Sequence, residues 1–444
     1  MRLLVTNTHA VQAYAITRCL RPYAERIVAT ISSTRYLGFW PADHAAYSRL
    51  IDRRYRAPDP EGDWHAGRIQ SANTPLEEAF VARILEICAD ERIDTIFPSV
   101  DAWVYVFSKN KEQFEARGIT IPVPNLETVL TPLDKYKTML AADAVGFPYP
   151  ETHLATSDEA VRRIARNLPP PWVIKLRFTT GSRGLAYIED AEELVARCRV
   201  TRQRHGTPMI QEYIPGHQLE SYYLVLDRDC RVVSVVTVRT RRRSWAFTDQ
   251  LCAGEVVPSG PFVEQALALA KAIGWWGAMT VQYKVDPRDG LPKLMEINPR
   301  LGIHTWFRTE LGINEPFLCL RIARGEAPEA TGNYPYGCLL LKPLEDLAFL
   351  PLDLVSRLFY RFSTEVLKRP VIDPLAGPAT IKDRLRGCWG DYTGNVQRRL
   401  TPYFGYASED PLPLLLWISK LIASPVDRLG RRVGRKLLRW IGQS

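Results

Sequence analysis

The chain has 444 residues, 46% of them hydrophobic and 24% charged, which predicts a folded protein of two or three domains. Its formal charge of +9 does not indicate a nucleic-acid binder, because the excess lies largely in a terminal segment, 421–444, and a short run, 239–243. Neither has the interleaved aromatic residues of a single-strand binder. The eight cysteines show no Cys-x-x-Cys spacing, which argues against a zinc site and predicts reduced thiols in the cytosol.

Residues 1–120 alternate short apolar strands with helices, which predicts an α/β domain with a parallel sheet of Rossmann-like type. No Gly-x-Gly-x-x-Gly follows the first strand, so no dinucleotide site is predicted. The opening residues indicate a strand interrupted by polar side chains rather than a signal peptide, which agrees with a cytoplasmic location. The predicted strands and helices cover residues 3–5, 10–20, 27–31, 75–91 and 95–98.

A Pro-containing connector at 122–132 leads to a second region. Asp134 and Lys135 open a predicted helix that stops before Gly146, with two prolines soon after. Taken alone, Lys135 is an ordinary surface lysine.

Lys175 lies inside the apolar strand 172–176, where a charge is costly unless it is paired, so an anionic partner is predicted. The loop that follows can bring backbone N–H groups close to an anion, although such a loop is usually only a turn. Its relevant residues are Gly181, Ser182, Arg183 and Gly184.

A strand at 209–214 runs into a turn at Pro215 and Gly216, and a carboxylate, Glu220, follows. The alternative is a strand end with two solvated glutamates, Glu212 and Glu220. Further on, Arg239 and Arg241 share one face of a strand. They form either a solvated charged face or part of a site for an anionic substrate.

Residues 280–300 form a predicted antiparallel hairpin with an Asp/Pro/Gly turn. If Asp289 is at the centre of the turn, Gln282 lies opposite Glu296, and Asn298 shares the face of Glu296. Amide and carboxylate oxygens in this arrangement suit Mg²⁺ or Mn²⁺, whereas a single Glu-x-Asn would more simply be a solvated strand face. Arg300 follows at the strand end.

Taken in order, these motifs resemble the ATP-grasp superfamily over residues 120–325, and most closely its carboxylate–amine ligase and carbamoyl-phosphate-synthetase-like branch. The resemblance implies an amino-terminal domain at 1–120 and an ATP-grasp domain at 121–330, α+β in type, with a flexible lid at about 140–215. A C-terminal extension, mostly helical, would occupy 331–444. It also implies ATP and Mg²⁺ as cofactors, and homodimers are common among such ligases.

The resemblance also implies a role for each motif. Lys135 and Lys175 would reach the nucleotide phosphates, which the Gly181–Gly184 loop would cover. Backbone groups of the hinge would pair with adenine, and Glu220 would bind the ribose. The metal ligands would be Gln282, Glu296 and Asn298, and Arg300 would steady an acyl phosphate. The hinge residues are Glu212, Tyr213 and Ile214.

The chain departs from its look-alikes after Arg300, where bulky residues stand in place of small ones. Ile303, His304 and Trp306 are expected to reshape the acceptor pocket. His304 is either a general base for the amine or a packing histidine.

Three functions follow from these motifs. The first is an ATP-dependent ligase that joins a small-molecule or peptide carboxylate to an amine. The second is a kinase that phosphorylates a small hydroxylated molecule. The third is a non-catalytic, membrane-associated ATP-binding module, which the intact set of metal ligands and lysines argues against.

The C-terminal tail, 412–444, combines an apolar stretch too short to span a bilayer with a basic amphipathic helix. Such a helix either lies on an anionic membrane surface or packs on its own domain. The first option predicts peripheral attachment to the inner face of the membrane.

Overall fold

The computed structural model describes residues 1–341 except 33, 37–39, 66, 68, 181–182, 217, 244–250 and 332–333. In the C-terminal part it describes residues 410, 412, 413, 415 and 416. Among the described residues no helix has both the length and the apolarity to span a bilayer. The predicted basic helix and most of the extension lie outside these residues.

The N-terminal region contains a four-stranded sheet in the order β5-β2-β1-β6, in which every neighbouring pair is parallel. The predicted parallel sheet is therefore confirmed. A separate two-stranded ribbon, β3-β4, follows β2. In chain order the elements are β1 (Arg2–Val5), α1 (Val11–Leu20), β2 (Arg26–Ile31), β3 (Arg35–Tyr36), β4 (Trp40–Pro41), β5 (Arg53–Arg56), α2 (Glu61–His65), α3 (Pro75–Glu91), β6 (Thr95–Phe97), α4 (Asp101–Lys109) and α5 (Lys111–Glu115), with 3₁₀ turns at Arg21–Tyr23 and His44–Tyr47.

Helix α3 begins where the sequence predicts. The Thr74 side chain accepts a hydrogen bond from the backbone N–H of Glu77, and the Glu77 carboxylate accepts one from the backbone N–H of Thr74. Pro75 occupies the first helical position, where its missing N–H costs nothing. This reciprocal capping stabilises the helix by about 1 kcal/mol.

The second region is built on two antiparallel sheets, as expected for an α+β domain. One has the order β7-β10-β8-β9, and the other β15-β14-β11-β12-β13-β16. Its elements are α6 (Leu126–Leu133), α7 (Lys135–Ala144), β7 (Thr152–Leu154), α8 (Asp158–Asn167), β8 (Trp172–Lys175), β9 (Ala186–Ile188), α9 (Ala191–His205), β10 (Met209–Glu212), β11 (Leu219–Leu226), β12 (Val232–Arg243), β13 (Leu251–Val257), α10 (Val263–Ile273), β14 (Gly277–Val285), β15 (Pro292–Asn298), α11 (Thr305–Glu310), α12 (Glu315–Ala323) and β16 (Leu339–Leu341).

The hairpin of β14 and β15 pairs Gln282 with Glu296, which confirms the predicted register. The expected reason for this pairing is a turn centred on Asp289. In the structure Tyr283 pairs with Leu294, so the register shifts by one residue between Gln282 and Tyr283. Met295 is thus the extra residue of a β-bulge. The bulge, and not a turn centred on Asp289, brings the two polar side chains opposite each other.

Within the extension that is expected to be mostly helical, Leu339–Leu341 is instead a strand that pairs antiparallel with β13. The edge of β13 offers backbone groups that a strand can satisfy, and all three leucines are buried there. The antiparallel sheet therefore extends past residue 330. Farther along, Asp410 accepts hydrogen bonds from the Ser48 hydroxyl and, at 3.2 Å, from the backbone N–H of Arg49.

Candidate active site

A cavity of about 350 Å³ lies between the two antiparallel sheets. Strands β8, β9 and β10 provide one wall, and β11, β12, β14 and β15 provide most of the other. The start of α7 and the segment after β15 also contribute to the lining. Residues that are far apart in sequence therefore converge on one space.

The three predicted metal ligands meet on one face of the hairpin. The Asn298 Nδ2 atom donates hydrogen bonds to Glu296 Oε1 at 3.2 Å and to Gln282 Oε1 at 3.5 Å. Gln282 Nε2 in turn donates to the Ser221 hydroxyl at 3.3 Å. The predicted convergence is confirmed: the Asn298 amide lies within hydrogen-bond range of both the Glu296 carboxylate and the Gln282 amide.

Arg300 is held on three sides. Its Nε donates to Asp101 Oδ1 at 2.9 Å, its Nη2 to Asn298 Oδ1 at 3.0 Å, and its Nη1 to the Leu301 carbonyl at 3.2 Å. Asp101 is the first residue of α4, just beyond β6 of the parallel sheet, and is only 4% exposed. The N-terminal region thus positions an arginine of the cavity.

Two lysines enter from the opposite wall. Asp134 caps α7 and pairs with Arg177, which fixes the start of that helix beside the end of β8. Lys135 donates to the Thr179 carbonyl at 2.6 Å, and Lys175 lies at the end of β8. Both line the cavity, as the sequence predicts.

Burial lowers the pKa of Lys175 from its usual value to about 8. The nearby Glu296 carboxylate opposes the shift, whereas the charges of Lys135 and Lys284 add to it. The lowered pKa indicates that the site disfavours the lysine charge until an anion arrives.

The turn after β10, here called the hinge (Glu212–Gly216), closes one end of the cavity. The Glu212 N–H donates to the Glu151 carbonyl at 2.9 Å, and its carboxylate pairs with Arg288 at 2.5 Å. The Ile214 carbonyl accepts a hydrogen bond of 2.5 Å from Lys284 Nζ. Sequence reasoning missed Lys284, although it lies two residues after Gln282 and therefore on the same strand face.

The cavity carries an excess of positive charge. Among the described lining residues, five are lysine or arginine and two are glutamate. One of the glutamates, Glu212, is already paired with Arg288, which is not part of the lining. Such a balance favours a polyanionic ligand.

Comparison with known families agrees with this geometry. Residues 134–328 match the family described as "Carbamoyl-phosphate synthase L chain, ATP binding domain". This segment is an ATP-grasp domain. The match begins at the cap of α7 and ends just after α12.

The curated relatives are distant. The N-terminal section of the carbamoyl phosphate synthase large chain of Methanopyrus kandleri is 23% identical over 242 residues, which is 51% of this chain and 42% of that protein. The D-alanine–D-alanine ligase of Herminiimonas arsenicoxydans is 22% identical over 56% of this chain and 80% of that ligase. This chain thus spans less than half of the first relative and most of the second.

Solved structures share the fold. The biotin carboxylase domain of the Hydrogenobacter thermophilus 2-oxoglutarate carboxylase, determined with MgADP and bicarbonate, matches with a TM-score of 0.60 and 16% identity, over 76% of this chain and 73% of that one. The Campylobacter jejuni biotin carboxylase matches with a TM-score of 0.60 and 18% identity, over 76% and 74%. The shared fold extends over more of the chain than the matched segment 134–328.

Glu220 does not line the ATP-grasp cavity. Its neighbours Leu219 and Ser221 do, and successive side chains of a strand point to opposite faces. Burial opposes ionisation of Glu220, but hydrogen bonds from Tyr283 and Arg239 outweigh it and hold its pKa below the usual value. The predicted ribose contact of Glu220 is therefore wrong.

For Arg239 and Arg241 the structure favours a charged face outside the cavity over a place in the site. The cavity is lined by Val238 and Thr240, so the arginines beside them lie on the other face of β12. Arg239 pairs with Glu220 at 2.7 Å and Arg241 with Glu255 at 2.9 Å. The two arginines pair with carboxylates on the face of β12 that points away from the cavity.

Half of the predicted phosphate loop can be placed. Arg183 lines the cavity and lies 3.8 Å from Glu61 of the N-terminal region. Gly184 has a φ of +73°, and a Cβ there would lie 2.6 Å from the Leu176 side chain, so only glycine fits. Gly181 and Ser182 lie outside the described residues.

The residues that follow Arg300 shape the end of the cavity that lies away from the hinge. Ile303 and His304 line the cavity, as expected, but Trp306 does not and instead stacks against the Arg18 guanidinium at 3.5 Å. Gly302 packs on the Tyr223 ring so closely that a Cβ would lie 2.5 Å from it. Tyr223 therefore defines the wall at this end.

Proposed function

We propose that the chain is an ATP-dependent ligase that activates a small-molecule or peptide carboxylate as an acyl phosphate and couples it to an amine, with release of ADP and phosphate. One observation carries the proposal: the Gln282, Glu296 and Asn298 cluster shares a cavity with Lys135 and Lys175. Oxygen ligands for a divalent cation and two ammonium groups together suit a nucleoside triphosphate.

The donor set fits Mg²⁺ or Mn²⁺. Two acceptor oxygens, on Gln282 and Glu296, already converge on one donor, the Asn298 amide, and a cation can replace that donor as their partner. A metal ion bound there supplies positive charge to the phosphates. Because the three groups include a single carboxylate, nucleotide phosphates and water would complete the coordination of the ion.

The chain's own residues then position and neutralise charge, which is most of what phosphoryl transfer requires. Lys135 and Lys175 hold the phosphates from the α7 and β8 side. Arg300, oriented by Asp101, stabilises the negative charge on the carboxylate and on the acyl phosphate formed from it. Tyr223 and His304 line the same cavity and would face the amine.

The relatives support this reading, since carbamoyl phosphate synthase and D-alanine–D-alanine ligase appear among them. The shared fold with biotin carboxylase extends to 76% of the chain, which supports a Rossmann-like domain ahead of the ATP-grasp domain.

The test is a screen of carboxylate–amine pairs for phosphate release in ATP and Mg²⁺. ADP formation that needs both an acid and an amine is the expected result. ADP formation with a hydroxylated compound alone would replace the ligase by a kinase. Tight ATP binding without turnover across the whole panel would leave a non-catalytic binding module.

Nucleotide affinity is expected to fall as pH rises above about 8. Lys175 has a pKa of about 8 in the free protein, and a bound phosphate favours its charged form, so binding must take up a proton above that pH. Calorimetry in buffers of different ionisation enthalpy measures this uptake. Lys175→Met should abolish it, whereas uptake that persists in this variant would contradict the role of Lys175.

We also propose a cytoplasmic location, a homodimer, and contact of the 412–444 tail with an anionic membrane surface. The basic composition of the tail supports the last point. Sedimentation of the protein with anionic vesicles, with and without residues 412–444, tests it. Equal sedimentation of both forms would remove the tail from consideration.

A further inference from the structure

Gln211, the residue before the hinge, carries a buried acceptor to which the proposed function gives no role. Its side chain is 1% exposed and lines the cavity. Its Oε1 atom is buried and has no hydrogen-bond partner among the described residues. A buried carbonyl oxygen without a donor is unfavourable, because it has lost its hydrogen bonds to water and gained none in return. An unpaired acceptor in the wall of a binding cavity is therefore a candidate contact for the ligand.

The orientation of the Gln211 amide is fixed by Thr152, which lies opposite it on the neighbouring strand β7. Gln211 Nε2 donates to the Thr152 hydroxyl at 2.8 Å, and that hydroxyl donates to the Pro150 carbonyl at 2.6 Å. Because a hydroxyl has one hydrogen and the Pro150 carbonyl takes it, Thr152 can only accept from Gln211. The donor end of the amide therefore faces Thr152, which is not part of the cavity lining, and the carbonyl end is left for a ligand.

Gln211 lies toward the hinge end of the cavity. It pairs with Val173 of β8, and Lys175 lies two residues, or about 7 Å, farther along that strand. Lys175 is one of the phosphate-binding groups of the proposed site, whereas Gln211 leads directly into the hinge. With the phosphates at Lys175, the base of the nucleotide reaches the hinge end, beside Gln211.

The neighbours of Gln211 across the sheet suit a planar base. Val173 pairs with Gln211 on one side and with Tyr187 on the other, and all three side chains line the cavity. The valine and the tyrosine ring offer contact to the face of a heterocycle, and the amide carbonyl offers an acceptor to its edge. This row of residues therefore provides both kinds of contact that recognition of a base requires.

We propose that Gln211 selects the base: its carbonyl accepts a hydrogen bond from the exocyclic amino group of a 6-aminopurine, which makes ATP the preferred nucleotide. This rests on the proposed function. A purine with only hydrogen at position 6 leaves the acceptor unpaired, and a 6-oxopurine brings a second carbonyl oxygen against it. Thr152 is a positioning residue, because it acts through the Gln211 amide.

The test compares ATP with purine riboside triphosphate, which lacks only the 6-amino group, each with Mg²⁺. Their dissociation constants are measured for the full chain, for Gln211→Leu and for Gln265→Leu. Gln265, on α10, is the matched control because its Oε1 is also buried without a partner among the described residues but lies outside the cavity lining. Thermal melting of each variant checks that it is folded.

The unmodified chain is expected to bind ATP more than about fivefold more tightly than purine riboside triphosphate. Gln211→Leu should weaken ATP binding by about that factor and leave the affinity for purine riboside triphosphate unchanged within about twofold, since that ligand makes no bond to the amide. A merely structural role of Gln211 would weaken both ligands equally. Gln265→Leu should change neither affinity.

Thr152→Val removes the hydroxyl that orients the amide and keeps the side chain at nearly the same size. The amide can then turn its NH₂ group toward the cavity, so the preference for ATP should fall at least about twofold. Thr152→Ser keeps the hydroxyl and should keep the preference. An unchanged preference in Thr152→Val would contradict the positioning role of Thr152.

Three outcomes would overturn the assignment of Gln211 while leaving the ligase proposal intact. The first is a preference of the unmodified chain for ATP of less than about fivefold. The second is an equal loss of affinity for both ligands in Gln211→Leu, and the third is an undiminished preference in that variant. Absence of any ATP binding by the unmodified chain would instead overturn the proposed function, and the assignment with it. The first comparison needs no variant, so misfolding of Gln211→Leu does not protect the proposal.

Discussion

Glu296→Ala is expected to lower ATP-dependent turnover at least about a hundredfold. Glu296 is the single carboxylate of the cluster, so its removal leaves two neutral amides to hold a doubly charged ion. Loss of the carboxylate also removes a negative charge that raises the pKa of Lys175. Phosphate release at saturating substrates measures the effect, and an unaltered rate would contradict the metal assignment.

Glu255→Ala is the matched control for Glu296→Ala. Glu255 also lies on a strand of the large sheet, but it pairs with Arg241 outside the cavity lining. Turnover should therefore change little.

A second variant, Gln282→Glu, adds a carboxylate to the cluster and should strengthen binding of Mn²⁺ alone. The loss of the electron-paramagnetic-resonance signal of free Mn²⁺ measures this binding.

Arg300→Met is expected to lower kcat by about 10² to 10³, with little change in ATP affinity, because Arg300 acts on the charge that develops during the reaction. Single-turnover kinetics with the acid and amine identified by the screen would measure it. A rise in KM for ATP with kcat unchanged would instead place Arg300 in nucleotide binding.

Arg300→Lys should remain impaired. A planar guanidinium meets Asp101, Asn298 and the Leu301 carbonyl at once, and a lysine cannot contact all three. Asp101→Asn should reduce kcat less than Arg300→Met, and the two effects should not add, since Asp101 acts through Arg300. Arg241→Met is the control for loss of a surface arginine.

The location of the site could be predicted because its main motifs are local. Glu296 and Asn298 are two residues apart on one strand, and Gln282 is brought opposite by a short hairpin. Lys175 was recognisable as a charge inside an apolar strand. In each case the period of the strand or the cost of burial supplied the inference.

The order of motifs along the chain was a poorer guide. It implied a place in the site for Glu220 and left Arg239 and Arg241 open between a solvated face and a substrate site, because it does not show which face of a strand lines the cavity. Side chains alternate between the two faces of β11 and β12, and these three lie on the face away from the cavity. There Arg239 pairs with Glu220, and Arg241 pairs with Glu255. The order of motifs along the chain identifies the region that holds the site. The alternation of side chains along each strand determines which of them face the cavity.

By itself the amino-acid sequence determined the parallel sheet of the first region, the polar face of the metal hairpin and the kind of ligand that face suits. Only the tertiary structure decided that Asp101 holds Arg300, 199 residues away, and that Lys284 bonds to the Ile214 carbonyl, 70 residues away. The physical reason is that hydrogen bonding along a strand or helix is local and periodic. Contacts between distant segments depend instead on how separate elements pack, which no short pattern of residues specifies.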